Sequence, residues 1–196
     1  MEKTKNPAAG LRQRLRDETR PFHNALEARL PLARGLLSER HYRDHLSFLL
    51  GFYAPLEQRL QAVAGLDEVV SSLNARWKTK RLESDLALAA STSSRACRME
   101  VDLIHRDEAI GALYVLEGAT LGARVLLPRL RRAGVLPGAT GSRYLDAYGN
   151  DAGRMWESFC TNLQALPQAA GPGVINGAVD TFRNLLQWRK RWERHA

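Results

Sequence analysis

The stretch Leu113-Tyr-Val-Leu-Glu-Gly118-Ala-Thr-Leu-Gly122-Ala123 decides how this chain is read. It lies inside a long helical pattern, roughly Arg98 to Ala133, that Gly134 closes as a C-terminal glycine should. Two glycines four apart fall on one face of a helix. Each costs about 1 kcal/mol against alanine in a helix interior, so the pair needs a reason. Either a second helix packs very closely there, or a flat ligand lies directly on the backbone. From the glycines alone, close packing is the favoured reading. Pro128 is expected to kink the helix near its end.

Outward from this segment, helical periodicity dominates and no sustained strand alternation occurs. Toward the N-terminus, Leu11, Leu15, Thr19, Phe22, Leu26 and Leu30 mark an amphipathic helix that Pro31 closes. Pro21 either kinks it or lies in the first turn of a fresh helix capped by Thr19. Ser38 caps a second helix with Tyr42, Leu46, Leu49, Leu50 and Tyr53 as its stripe, continuing past Pro55 to about Ala64. A loop over residues 65–79 precedes a short helix with Leu82, Leu86 and Leu88. STSS (91–94) reads as a loop and LPGATGS (136–142) as a break. Tyr144 to Leu166 is expected to be helical and PQAAGPG a linker. A last helix starts between Val174 and Gly177 and runs to about Arg194. The expectation is an all-α, single-domain fold over residues 10–196, with residues 1–9 as a flexible arm.

Composition narrows the function classes. The chain has 196 residues, 44% hydrophobic and 26% charged, as in ordinary globular proteins. No uncharged run approaches the roughly 20 apolar residues of a membrane span. The N-terminus lacks the apolar core of a secretory signal, so a cytoplasmic location is expected. Cys97 and Cys160 form no CxxC pair. A net charge of +8 invites a nucleic-acid reading, strongest at the WRKRW tail (188–192). The basic residues alternate with acidic ones over most of the chain, however, and such a surface equally attracts a carboxylate-bearing substrate or an acidic redox partner.

His23, in TRPFHNALE (19–27), shares a face with Thr19, Leu26 and Leu30 and is expected to point inward. Glu27 follows one turn on. It can accept from one ring nitrogen and leave the other free for a metal, or the two form an ordinary surface pair. His41 and His45 have a spacing that could hold zinc, but no third ligand accompanies them, and two polar-face histidines are the simpler reading. No Walker loop, GxGxxG or GxSxG motif is present.

RDETRPFHNALE (16–27) and LYVLEGATLGA (113–123), in this order, resemble bacterial heme oxygenases, especially those that accompany bacterial phytochromes. The resemblance extends to the aromatic second helix, RLESDL (81–86), YGNDAGRMWESF (148–159) and the AVDTF…W pattern of the last helix. It implies a helical bundle holding heme between an N-terminal proximal helix and a kinked distal helix. It further implies oxidative cleavage of heme to biliverdin, carbon monoxide and ferrous iron. Heme b is then both cofactor and substrate, dioxygen the co-substrate, and a reductase or ferredoxin the electron source. A bacteriophytochrome could receive the product. Residue by residue, the resemblance makes His23 the iron ligand and Glu27 its partner, with Gly118 and Gly122 as the distal face. Arg16 and Arg129 become candidates for the heme propionates. The basic propionate partners of animal-type enzymes would fall near Trp156 and Cys160, neither of which is basic. Where those enzymes place an aspartate that organises proton-delivering waters, this chain has Ala119. Thr120 is rotated about 100° away from it. The alternatives are a carrier or sensor of the same fold without efficient turnover, or a basic helical nucleic-acid-binding module.

Overall fold

A computed structural model of the chain describes residues 10–88, 105–136 and 141–194. The expected arm at residues 1–9, the STSS loop, Cys97 and the start of the long helix before residue 105 lie outside the described residues. Within them the fold is all α, with no strand. The helices are α1 (Leu11–Glu27), α2 (Glu39–Gln61), α3 (Leu66–Val69), α4 (Thr79–Leu88), α5 (Arg106–Arg132), α6 (Ala152–Gln164) and α7 (Gly171–Glu193).

α1 is one continuous helix through Pro21. The Thr19 hydroxyl donates to the Leu15 carbonyl at 2.7 Å, a bond within the helix, so it does not cap a new start. α1 ends at Glu27, short of the expected Leu30, and the chain turns through Leu26–Arg29 and Glu27–Leu30 bonds before Pro31. Ser38 caps α2 as expected, its hydroxyl accepting from the His41 N–H at 3.2 Å. Pro55 does not end α2, and Pro128 does not end α5. Beyond α5, Gly134 takes a left-handed φ of +64°, which only glycine adopts without strain.

Three further expected boundaries differ. The span 65–79 holds α3 and a 3₁₀ turn at Leu73–Arg76 rather than a plain loop. The helix expected from Tyr144 begins only at Ala152. Asp85 of α4 accepts from the N–H groups of Arg143 and Tyr144 at 3.0 and 2.9 Å, pinning that segment as turns. Gly149 then takes a positive φ of 51°, which interrupts a helix. α7 starts earlier than expected, at Gly171, with Pro172 in its first turn, where a missing N–H costs nothing.

α7 is the central packing partner, lying against α5 and α1, while α2 packs on α4 and α6 contacts α1 and α5. The core is dominated by large apolar and aromatic side chains such as Phe48, Phe52, Tyr53, Phe159 and Trp188. By length and apolarity α5 could cross a membrane, but 56% of its apolar window is buried inside the fold, the pattern of a core helix.

Candidate functional site

A cavity of about 760 Å³ opens between α1 and α5, floored by α2 and α7. Its size falls within the roughly 300–1,000 Å³ of small-molecule clefts. α1 contributes Arg16, Thr19, Arg20, His23, Leu26 and Glu27; α5 contributes Tyr114, Gly118, Ala119, Leu121, Gly122 and Arg129. All seven residues singled out from sequence therefore line one cavity.

The His23 side chain is 54% exposed, so it is not packed in the core as its face suggested but open toward the cavity. Its ring meets Phe182 of α7 edge-on, with centroids 6.0 Å apart. Nδ1 stands 3.7 Å from the Glu27 carboxylate, close enough for attraction and too long for a hydrogen bond. The carboxylate thus lies on the Nδ1 side of the ring without bonding it, and the imidazole remains accessible to a ligand.

Gly118 and Gly122 settle the alternative left open above. A Cβ added to either would meet nothing within 4 Å. No helix packs on them; they leave bare backbone at the cavity wall, with Ala119 exposed between them. Thr120 is buried and its hydroxyl donates to the Glu117 carbonyl, so it offers nothing to the cavity.

The rest of the lining was not singled out from sequence. Tyr53 of α2 and Tyr144 are buried, their rings perpendicular, with the Tyr144 hydroxyl donating to that of Tyr53 at 3.2 Å. Burial pushes the Tyr144 phenol up to about 12 and Tyr53 well above its ordinary value, so both keep their protons at neutral pH. Trp156, at a position expected to be near the propionates, lines the cavity beside Tyr114; Cys160 is buried and does not line it. Arg20 and Arg34 join Arg16 and Arg129, giving four guanidinium groups around an otherwise largely apolar space.

Behind the cavity wall, Glu117 is fully buried. Its carboxylate accepts from Arg76, from Lys78 Nζ at 2.7 Å and from the Tyr148 hydroxyl at 2.7 Å. Glu57 accepts from the backbone N–H groups of Lys78 and Thr79 at 2.7 and 3.0 Å, so both buried cations pair with Glu117 while Glu57 holds the backbone beside them. Burial pulls the Lys78 ammonium below its usual pKa, with Glu117 opposing. This network fastens the turn before α4 to α2 and to the middle of α5. The sequence signal for it was slight, since Arg76 and Lys78 lie in what reads as a loop.

One cavity thus brings together an open histidine on α1, bare backbone on α5, aromatic side walls and four guanidinium groups. The sequence matches the heme oxygenase family over residues 9–191. No curated protein sequence matches the chain. Among solved structures, the NO- and CO-bound heme oxygenase of Neisseria meningitidis is similar at TM-score 0.78 and 22% identity. That likeness covers 94% of this chain and 92% of the other. The heme oxygenase of Leptospira interrogans is similar at TM-score 0.74 and 16% identity, covering 93% and 100%. Heme oxygenase 2 of Chlamydomonas reinhardtii, solved without heme, follows at 0.66 and 14%, covering 94% and 98%. The chain belongs to the heme oxygenase family, and it has the all-α fold of these structures.

Proposed function

We propose that this heme oxygenase holds heme in the cavity between α1 and α5, with His23 as iron ligand and the Gly118–Gly122 backbone as the opposing face. The observation that carries this reading is the empty space over both glycines in a cavity that His23 also lines. Placing bare backbone there costs helix stability, and a flat macrocycle is the ligand that uses it. Bound heme supplies the redox chemistry, acting as cofactor and substrate in its conversion to biliverdin, carbon monoxide and ferrous iron.

The chain's own groups do the rest. Glu27 stands beside Nδ1 of His23 and leaves the other ring nitrogen to face the ligand. Arg16 and Arg129, with Arg20 and Arg34, pair with the two propionates and orient the ring. Phe182, Trp156 and Leu185 exclude water from its edges. Ala119 neither donates nor accepts, so protons must arrive through water held by other groups. Electrons come from an external reductase or ferredoxin, for which the basic surface is suited. We further propose that residues 10–196 act as one unit in the cytoplasm, and that a bacteriophytochrome could receive the biliverdin. The family membership favours neither a nucleic-acid module nor a non-reacting carrier.

The test adds hemin and then ascorbate or a reductase system and follows the absorption spectrum. Stoichiometric binding followed by loss of the Soret band and growth of biliverdin absorption is expected. Binding without any decay would return the protein to the carrier reading.

A further inference from the structure

Glu117 directly precedes Gly118 on α5, behind the cavity wall. Its side chain, like those of Arg76 and Lys78, is sealed inside the protein. Three donors from two other stretches of chain converge on this one carboxylate. Arg76 and Lys78 come from the turn before α4, and the Tyr148 hydroxyl from the segment before α6. The backbone of Glu117 is engaged as well, its carbonyl accepting from the Thr120 hydroxyl. Stability alone does not account for such a cluster, because apolar side chains of similar bulk hold buried sites as well as ion pairs do, or better. What converging charged hydrogen bonds add is a fixed position, since they fail when either side slides by about 1 Å.

The turn that follows has little else to hold it. A Cβ at Gly118 or Gly122 would meet nothing within 4 Å, so no neighbouring helix fixes this stretch from the cavity side. Glycine also leaves the backbone freer than any other residue does. Two turns before Gly118, the Cβ position of Gly111 falls on the backbone of α7. Glu117 sits between that contact and the open glycines. Its cations are braced from α2, where Glu57 accepts from the backbone N–H groups of Lys78 and Thr79. Tyr53, one turn before Glu57, lines the cavity. The α5 and α2 walls are thus joined through the turn at residues 76–79.

We infer that Glu117 is a positioning residue: its clasp by Arg76, Lys78 and Tyr148 fixes how far the Gly118–Gly122 backbone stands into the cavity, and so how closely that backbone approaches the ligand. The inference rests on the cavity being the heme site. Close approach matters there because bare backbone, with Ala119 between the glycines, is what this turn of α5 presents to the ring. A displacement of about 1 Å at a positioning element is enough to cost about 10²-fold in rate.

Three variants test it. Glu117→Gln has equal reach without the charge. Glu117→Gln combined with Lys78→Met removes a cation along with the anion and keeps the cluster balanced. Tyr148→Phe removes one bond of the three. In the heme-free proteins, amide exchange at residues 118–123 should quicken about tenfold in both Glu117 variants and less in Tyr148→Phe, with Gly111 as protected as in wild type. All should bind one hemin with the same His23-dependent spectrum. In the reduced, CO-loaded proteins the C–O stretch should be displaced and broadened in the same order of variants, because it reads the distance to the backbone above it. Biliverdin formation in the Glu117 variants should slow about tenfold, with hemin affinity held within about twofold. A lowered denaturation midpoint with wild-type exchange at 118–123 and a wild-type C–O band would show that the cluster only stabilises the fold. That result would overturn the inference while leaving the heme site intact. Failure of wild type to take up hemin through His23 would overturn the heme-site reading and this inference with it.

Discussion

Gly111 of α5 is seated directly on Gly177 of α7. A Cβ added to Gly111 would lie 3.0 Å from the Gly177 carbonyl carbon and 2.0 Å from the Val174 oxygen. A Cβ on Gly177 would in turn lie 2.1 Å from the Glu108 oxygen. Gly118 follows Gly111 by seven residues, two turns on and only about 20° around the helix. One stripe of α5 therefore packs on α7 at Gly111 and faces open space at Gly118 and Gly122. The two backbones touch at Gly111–Gly177, and the cavity lining on α5 begins three residues on, at Tyr114.

This division predicts opposite consequences for the same substitution. Gly111→Ala should destabilise the heme-free protein by about 1–3 kcal/mol, since backbone cannot retreat from the new methyl. Gly118→Ala should leave it as stable or gain up to about 1 kcal/mol of helix propensity. Gly122→Leu should keep its helix content while hemin binding is lost. Circular dichroism and urea melts, beside hemin titrations, check all three. Equal destabilisation at Gly111 and Gly118 would contradict the division.

The helices were legible because apolar spacing is local, and the candidate residues on α1 and α5 were legible because histidine and mid-helix glycine are chemically conspicuous. The α2 wall was not. Leu49 and Tyr53 read as core stripe and His45 as polar face, and only the approach of α2 to α5 shows that all three border a cavity. Gly111 and Gly177 carried the same signal as Gly118, but a glycine does not declare in sequence whether a helix or a ligand lies over it. The late start of α6 depends on Asp85 capturing two N–H groups from 58 and 59 residues away. Local periodicity contains no such information.

Ala119 predicts slow turnover. Restoring a hydroxyl with Ala119→Ser should raise the rate of biliverdin formation at constant hemin affinity, by less than the roughly 10²–10⁴-fold of a directly positioned donor. Single-turnover kinetics at one pH provide the comparison. A fast wild type with no gain in the serine variant would mean that Ala119 limits nothing.

His45 predicts an acid sensitivity of the heme-free fold. The unfolded chain takes up the His45 proton near pH 6.5, whereas the folded protein resists until about 4. Between these values the unfolded state binds more protons, so stability falls as pH falls. His45→Leu should lack that component. The stability difference between variant and wild type should widen by up to about 3 kcal/mol from pH 7 to pH 4, at about 1.4 kcal/mol for each pH unit. Urea melts across the range measure it, and a constant difference would contradict the burial of a neutral imidazole.

Binding of heme iron by His23 in this cavity is tested by the absorption and electron paramagnetic resonance spectrum of His23→Ala loaded with hemin. Loss of the native axial-ligand signature and slower biliverdin formation are expected, with the signature partly restored by added imidazole, which can enter where the wild-type side chain is 54% exposed. An unchanged spectrum in His23→Ala would contradict it.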